Sequence, residues 1–173
     1  MSALFSARVS SGMEAHWATV WESIADAIPN EAALVHGATS RTWRELDGRA
    51  ARLAGAFQAA GVGPGARVAQ YLYNSTEYVE TYFATLKVGG VPINVNYRYL
   101  GDELVYIVED SDAEVLVYHA SLGDRVGAVA DRLASLSMLI EVGEVDPTSA
   151  THPPVPGALR YEDVVGRGPP QAR

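Results

Sequence analysis

At 173 residues, with 48% hydrophobic and 20% charged side chains, the chain is long enough to bury a core and lacks the signature of disorder. Thirteen basic against twenty-one acidic residues give a formal charge of −8, which opposes broad electrostatic binding to nucleic acid or anionic membranes. The lack of cysteine excludes disulfides, thiolate metal sites and a cysteine nucleophile, and it fits a cytoplasmic protein.

The N-terminus has neither a basic start followed by an apolar run nor a stretch long enough to span a bilayer. Residues 1–15 are small and polar and read as a flexible lead-in. From Trp17 the apolar positions Trp17, Val20, Trp21, Ile24, Ala27 and Ile28 recur three and four apart, which predicts an amphipathic helix ended by Pro29. Residues 32–36 and 40–43 flank Gly37 and Ala38 and predict a hairpin, followed by a helix over 44–60 that stops at Gly61. The middle of the chain then alternates. Strands are predicted at 67–73, 91–95, 114–118 and 138–142, and helices at 76–88, 102–110 and 122–136, with Asn74 as a cap and Glu77 completing a capping box. This order predicts an α/β fold with a mainly parallel sheet and flanking helices over residues 16–142. Beyond it, Pro147, Pro153, Pro154 and Pro156 break every periodicity. Residues 143–173 therefore read as a Pro/Gly-rich connection and tail, with one helical turn at 161–165.

Three features invite a chemical reading. The turn Gly61-Val-Gly-Pro-Gly65 looks like a phosphate loop, but it follows a helix and opens a strand, the reverse of a phosphate-binding turn, so a structural role is expected. The segment from Val91 to Tyr99 runs off the carboxyl end of a strand, where open α/β sheets place ligands. Tyr97 and Arg98 are candidates for ligand contact there. The alternative is that Asn94 and Asn96 shape the turn while Arg98 pairs with Asp102 or Glu103. Glu109, Asp110 and Asp112 cluster at a helix end and are expected to be solvated. His16, His36, His119 and His152 lack the spacing of a metal site.

Two stretches carry a family resemblance. One is Arg41-Thr-Trp-Arg-Glu-Leu46 with Arg52-Leu-Ala and Gly61-Val-Gly-Pro-Gly-Ala-Arg-Val68. The other is Leu86-Lys-Val-Gly-Gly-Val-Pro-Ile-Asn94 continuing to Gly101-Asp-Glu-Leu104 and Asp112-Ala-Glu-Val-Leu116. Together, in register from about Trp17 to Tyr161, they resemble the N-terminal portion of the adenylate-forming acyl-CoA synthetases. The run Asn94-Val-Asn-Tyr-Arg-Tyr99 is most similar to bacterial fatty-acyl and sterol-side-chain CoA ligases.

The resemblance implies a reaction in which ATP and a carboxylic acid form an acyl-adenylate, after which CoA displaces AMP. The parent family uses ATP, Mg and CoA, and none is expected to bind this chain alone. No glycine-rich serine/threonine loop ending in Pro-Lys-Gly is present, and Lys87 is not carried over as catalytic. The resemblance therefore implies an N-terminal fragment, inactive alone, whose partner is the remainder of the ligase, covalent or separately encoded. It nominates no catalytic residue and only Asn96, Tyr97 and Arg98 as candidates bordering the acyl or CoA route. A stand-alone binding module built on the same fold is the alternative. A subdomain cut from a larger body is also expected to expose apolar surface and self-associate.

Overall fold

The computed structural model of the chain describes residues 16–143 and 155–170. The predicted lead-in over 1–15, and Pro147, Pro153, Pro154 and the last three residues, lie outside the described residues. Helix α1 (Trp17–Ala27) begins at His16, whose Nδ1 accepts the Ala18 N–H at 3.3 Å. Strands β1 (Ala32–His36) and β2 (Thr39–Thr42) form the expected antiparallel hairpin. Helix α2 (Trp43–Ala59) opens on a capping box. Thr42 Oγ1 accepts the Glu45 N–H at 3.3 Å, and the Glu45 carboxylate accepts the Thr42 N–H at 2.7 Å.

Alternation of strand and helix then builds the sheet. The elements are β3 (Arg67–Tyr71), α3 (Thr76–Lys87), β4 (Val91–Asn94), α4 (Gly101–Asp110), β5 (Ala113–His119), α5 (Gly123–Gly127), β6 (Met138–Val142), β7 (Leu159–Arg160) and α6 (Tyr161–Arg167). Five strands pair in parallel in the order β4-β3-β5-β6-β7. Successive side chains of a strand face opposite sides. Val68, Val115, Val117 and Ile140 therefore pack in one cluster with Leu53, Phe57 and Phe83, while Ala69, Tyr71, Leu116 and Tyr118 join Leu104, Val108 and Val126 in another. The sheet is covered on both faces, as the strand–helix alternation implies.

Four local expectations are corrected. The cap of α3 is Ser75, not Asn74: its backbone is extended and its hydroxyl accepts the Tyr78 N–H at 3.2 Å, because the helix starts at Thr76. The helix expected over 122–136 is broken into a 3-10 turn (Ala120–Leu122), α5 and a second 3-10 turn (Ala130–Arg132). Leu122, Val126, Val129 and Leu133 keep helical spacing and are buried, but glycine at both ends of α5 weakens the continuous helix. Strand β7 was not anticipated. Nor was the depth of α6, where Tyr161 and Val165 are each 2% exposed, so the segment after the prolines belongs to the core.

Charged side chains tie these layers together. Lys87 Nζ, at 3% side-chain exposure, contacts Glu22 of α1 at 2.5 Å and Asp47 of α2 at 2.8 Å. Glu80, buried in α3, accepts from Arg49 Nε at 2.7 Å and from the Tyr161 hydroxyl at 2.9 Å. Arg49 also grips Glu162 with two bonds of 3.0 and 2.6 Å, pinning α6 to α2 and α3. Burial pushes the Glu80 carboxyl upward against the pull of these partners.

Candidate functional site

From β3 the chain moves outward to β4 and then back across to β5. The carboxyl ends of β3 and β5 therefore bound the topological switch point, the crevice where open α/β sheets hold ligands. Three rings gather there. Tyr73, two residues beyond β3, has its centroid 5.0 Å from that of Tyr97 and 5.1 Å from that of His119 at the end of β5. Tyr73 is 38% and Tyr97 39% exposed, so these rings line a surface rather than fill the core.

The loop after β4 is held by its backbone. Asn96 Oδ1 accepts the Arg98 N–H at 3.0 Å, and Asn96 O accepts the Tyr99 N–H at 2.9 Å. The buried Tyr71 donates its hydroxyl to Tyr99 O at 2.5 Å, and Arg125 Nη1 donates to Tyr97 O at 2.7 Å. With the main chain fixed from below, the side chains of Tyr97 and Arg98 are free to face outward. The Arg98 guanidinium sits 5.5 Å from the Tyr97 ring centroid, a cation over an aromatic face.

The turn-shaping reading of this loop is realised only in part. Asn96 shapes the turn, but Asn94 accepts instead from the Tyr78 hydroxyl at 2.6 Å. Arg98 does not pair with Asp102, which meets Arg132 at 2.8 Å, nor with Glu103, whose carboxylate accepts the Leu100 N–H at 3.3 Å. The structure thus brings Tyr97 and Arg98 to the crevice and leaves Asn96 as the residue that holds the loop. Tyr73, His119 and Arg125 were not singled out as site residues. Tyr73 and His119 were visible as the residues at two strand ends, but only the strand order makes those ends neighbours.

His119 Nδ1 accepts the Ser121 N–H at 3.2 Å, so a neutral ring carries its proton on Nε2. Burial lowers its pKa below 6.5, against the opposing charges of Glu77 and Glu141. A neighbouring cavity of about 410 Å³ is lined by Glu77, Glu141, Gly143, Arg160 and Glu162. Burial raises the Glu77 carboxyl, but hydrogen bonds from its own backbone N–H and from Ser75 and Thr76 outweigh this and hold it below the usual value. Tyr118, whose hydroxyl donates to Glu141 at 2.7 Å, is pushed well up by burial and by that carboxylate. Among the described residues no group of three or more His, Asp and Glu could hold a metal ion. The arrangement offers flat aromatic faces, a guanidinium and a neutral imidazole N–H: the means to bind and orient a ligand.

The Gly61–Gly65 turn behaves differently. The Gly61 N–H donates to Gln58 O at 3.0 Å, the Val62 N–H to Phe57 O at 2.9 Å and the Gly65 N–H to Gly89 O at 2.9 Å, so these amides are spent within the fold. It lies at the amino edge of the sheet, as expected of a structural turn.

Residues 21–165 match the family described as AMP-binding enzyme. The chain belongs to that family. It is 32% identical over 170 residues to the medium-chain acyl-CoA ligase Mig of Mycobacterium avium, covering 89% of this chain and 30% of the relative. It is 33% identical over 152 residues to a 3-oxocholest-4-en-26-oate–CoA ligase of Rhodococcus rhodochrous, covering 87% and 26%. Among solved structures, the acetoacetyl-CoA synthetase of Streptomyces lividans superposes with a TM-score of 0.78 at 26% identity, over 91% of this chain and 26% of the other. The chain thus spans less than a third of the length of these relatives. No helix among the described residues is long and apolar enough to cross a membrane.

Proposed function

We propose that this chain forms one subdomain of an ATP-dependent acyl-CoA ligase acting on a fatty or sterol-side-chain acid, and that it makes no acyl-adenylate alone. The observation that carries this reading is the match over residues 21–165 together with the M. avium and R. rhodochrous relatives. Acyl-adenylate formation requires stabilisation of phosphate charge by a loop, a cation and a lysine. The only lysine here, Lys87, is buried against Glu22 and Asp47, so that chemistry comes from polypeptide beyond these residues. In the complete enzyme ATP, Mg and CoA are the cofactors. Tyr97 and Arg98, on the loop that Asn96 holds, border the path of the acid or CoA.

The seat we assign to the rest of the ligase is a surface groove of about 650 Å³. It runs beside the edge strand β7, lined by Ala56, Ala59, Met138, Leu159 and Val164. Left uncovered, this groove promotes weak self-association.

The test is ATP–pyrophosphate exchange with medium-chain and sterol-side-chain acids. The expected result is no exchange by the 173-residue chain and clear exchange when it is continuous with a downstream AMP-binding region. Exchange by the chain alone would overturn the incompleteness. Silence of the joined polypeptide with every acid would overturn the ligase assignment.

A further inference from the structure

The chain is acidic overall, yet four of its thirteen basic residues line one surface cavity of about 400 Å³: Arg41, Arg44, Arg49 and Arg52, with Glu45 and Gly48. On the first turns of α2, positions 45 and 49 and positions 44, 48 and 52 step by four and form two neighbouring rows, and Arg41, on β2 just before the Thr42 cap, reaches the same cavity. Gly48 sits between Arg44 and Arg52 and leaves a gap. A Cβ there would meet only Arg52 Nη1, at 3.9 Å, so no close packing demands a glycine. Glycine inside a helix costs about 1 kcal/mol relative to alanine. Its effect here is to open a floor between arginines.

The positive charge in this cradle is incompletely matched. Glu45 is engaged with the backbone and hydroxyl of Thr42. Arg49 is committed to Glu80 and Glu162. Arg52 spends Nε on Val165 O at 3.1 Å, which leaves its terminal nitrogens. Arg41 is ion-paired to Glu80 through Nε at 3.7 Å, too long for a hydrogen bond, and shares that one carboxylate oxygen with Arg49 at 2.7 Å. Arg44 is exposed and borders, on its other side, a cleft that also holds Asp26 and Asp47. Glu80 and Glu162 are thus divided among the guanidiniums of Arg41 and Arg49, and like charges facing one cavity repel one another less when a further anion is shared between them.

We propose that the Arg41–Arg44–Arg52 cradle is a binding site for a small phosphate-bearing anion. Guanidinium forks match phosphate oxygens two at a time, and a multiply charged phosphate can engage several forks where a single carboxylate engages one. The cavity is sized for a small anion rather than for a polymer, and the net charge of −8 opposes nucleic acid and anionic membranes.

The experiment titrates the 173-residue chain with inorganic pyrophosphate, following heat and backbone amide shifts, with AMP and citrate as parallel ligands. The expected result is pyrophosphate binding with a Kd below about 1 mM at low salt and shifts confined to residues 41–52. Gly48→Asp, which places a carboxylate on the floor, weakens binding about tenfold or more, and Arg44→Gln about fivefold, while Gly48→Ala retains it. Binding of AMP at the same residues identifies a nucleotide phosphate as an accepted source, and its absence points to a free oligophosphate. Citrate binding as tight as pyrophosphate overturns the phosphate assignment. Absent shifts at 41–52, or a Gly48→Asp variant of unchanged affinity, overturns the site.

Discussion

The two edges of the parallel sheet use their residues in opposite ways. At the amino edge, the Gly61–Gly65 turn and the Gly89–Gly90 turn are laced together. Gly65 N–H donates to Gly89 O at 2.9 Å and Val91 N–H to Ala66 O at 2.8 Å, while Lys87 is buried just beneath. At the carboxyl edge the connections carry exposed Tyr73, Tyr97 and Arg98 over a backbone secured by Tyr71 and Arg125. Glycine is a sign of function only where its N–H groups are left over, and those of Gly61, Gly65, Gly89 and Gly90 are taken up by carbonyls of the fold. The edge with leftover side-chain chemistry is the one richer in tyrosine.

If that contrast holds, damage at the amino edge is read as lost stability. The largest effect is expected from Lys87→Ala, which strands Glu22 and Asp47 between three helices and lowers the unfolding free energy by about 3–5 kcal/mol in denaturant titration. Gly90→Ala follows at about 1–3 kcal/mol, because its Cβ would lie 2.8 Å from Ala66 O, a backbone atom that cannot swing aside. A variant of either kind with native stability would break the assignment of this edge to packing.

His119 sharpens the other side of the contrast through pH. Its pKa is lowered in the fold by burial, so the unfolded chain binds the proton more tightly. Stability from the neutral ring is fully present above pH 6.5 and is lost as pH falls through the lower folded value. An NMR titration of the His119 ring with a midpoint below 6.5, and loss of that part of the pH dependence in His119→Gln, are expected. A midpoint above 6.5 would place the ring in a charge-stabilising environment instead.

How much of this was readable beforehand depended on whether the signal was local. Alternation from Arg67 to Val142 gave the α/β class and the strands of the sheet's centre, because each element carries its own periodicity. The helical turn at 161–165 was foreseen and is α6, but strand β7 and the burial of α6 were not. Two residues make no pattern, and the bonds that pin α6 join Arg49 to Glu162 and Arg52 to Val165, each 113 positions apart. The break in the 122–136 segment was hidden because its apolar spacing is helical and the glycines were outvoted. At the site, the loop after β4 was found from its place at a strand end. Tyr73 and His119 needed the order β4-β3-β5, which no single segment encodes.

The central claim is that the carboxyl edge meets the acid or CoA while the amino edge only holds the fold. It is tested most directly by the kinetics of thioester formation in the joined ligase, comparing Arg98→Ala and Tyr97→Ala with the parent while varying acid and CoA separately. Both side chains are exposed at their tips, so stability is expected to change by no more than about 0.5 kcal/mol. The KM for one of the two substrates is expected to rise about tenfold, the loss of a contact worth about 1.4 kcal/mol. Unchanged dependence of rate on both acid and CoA in both variants would contradict the claim.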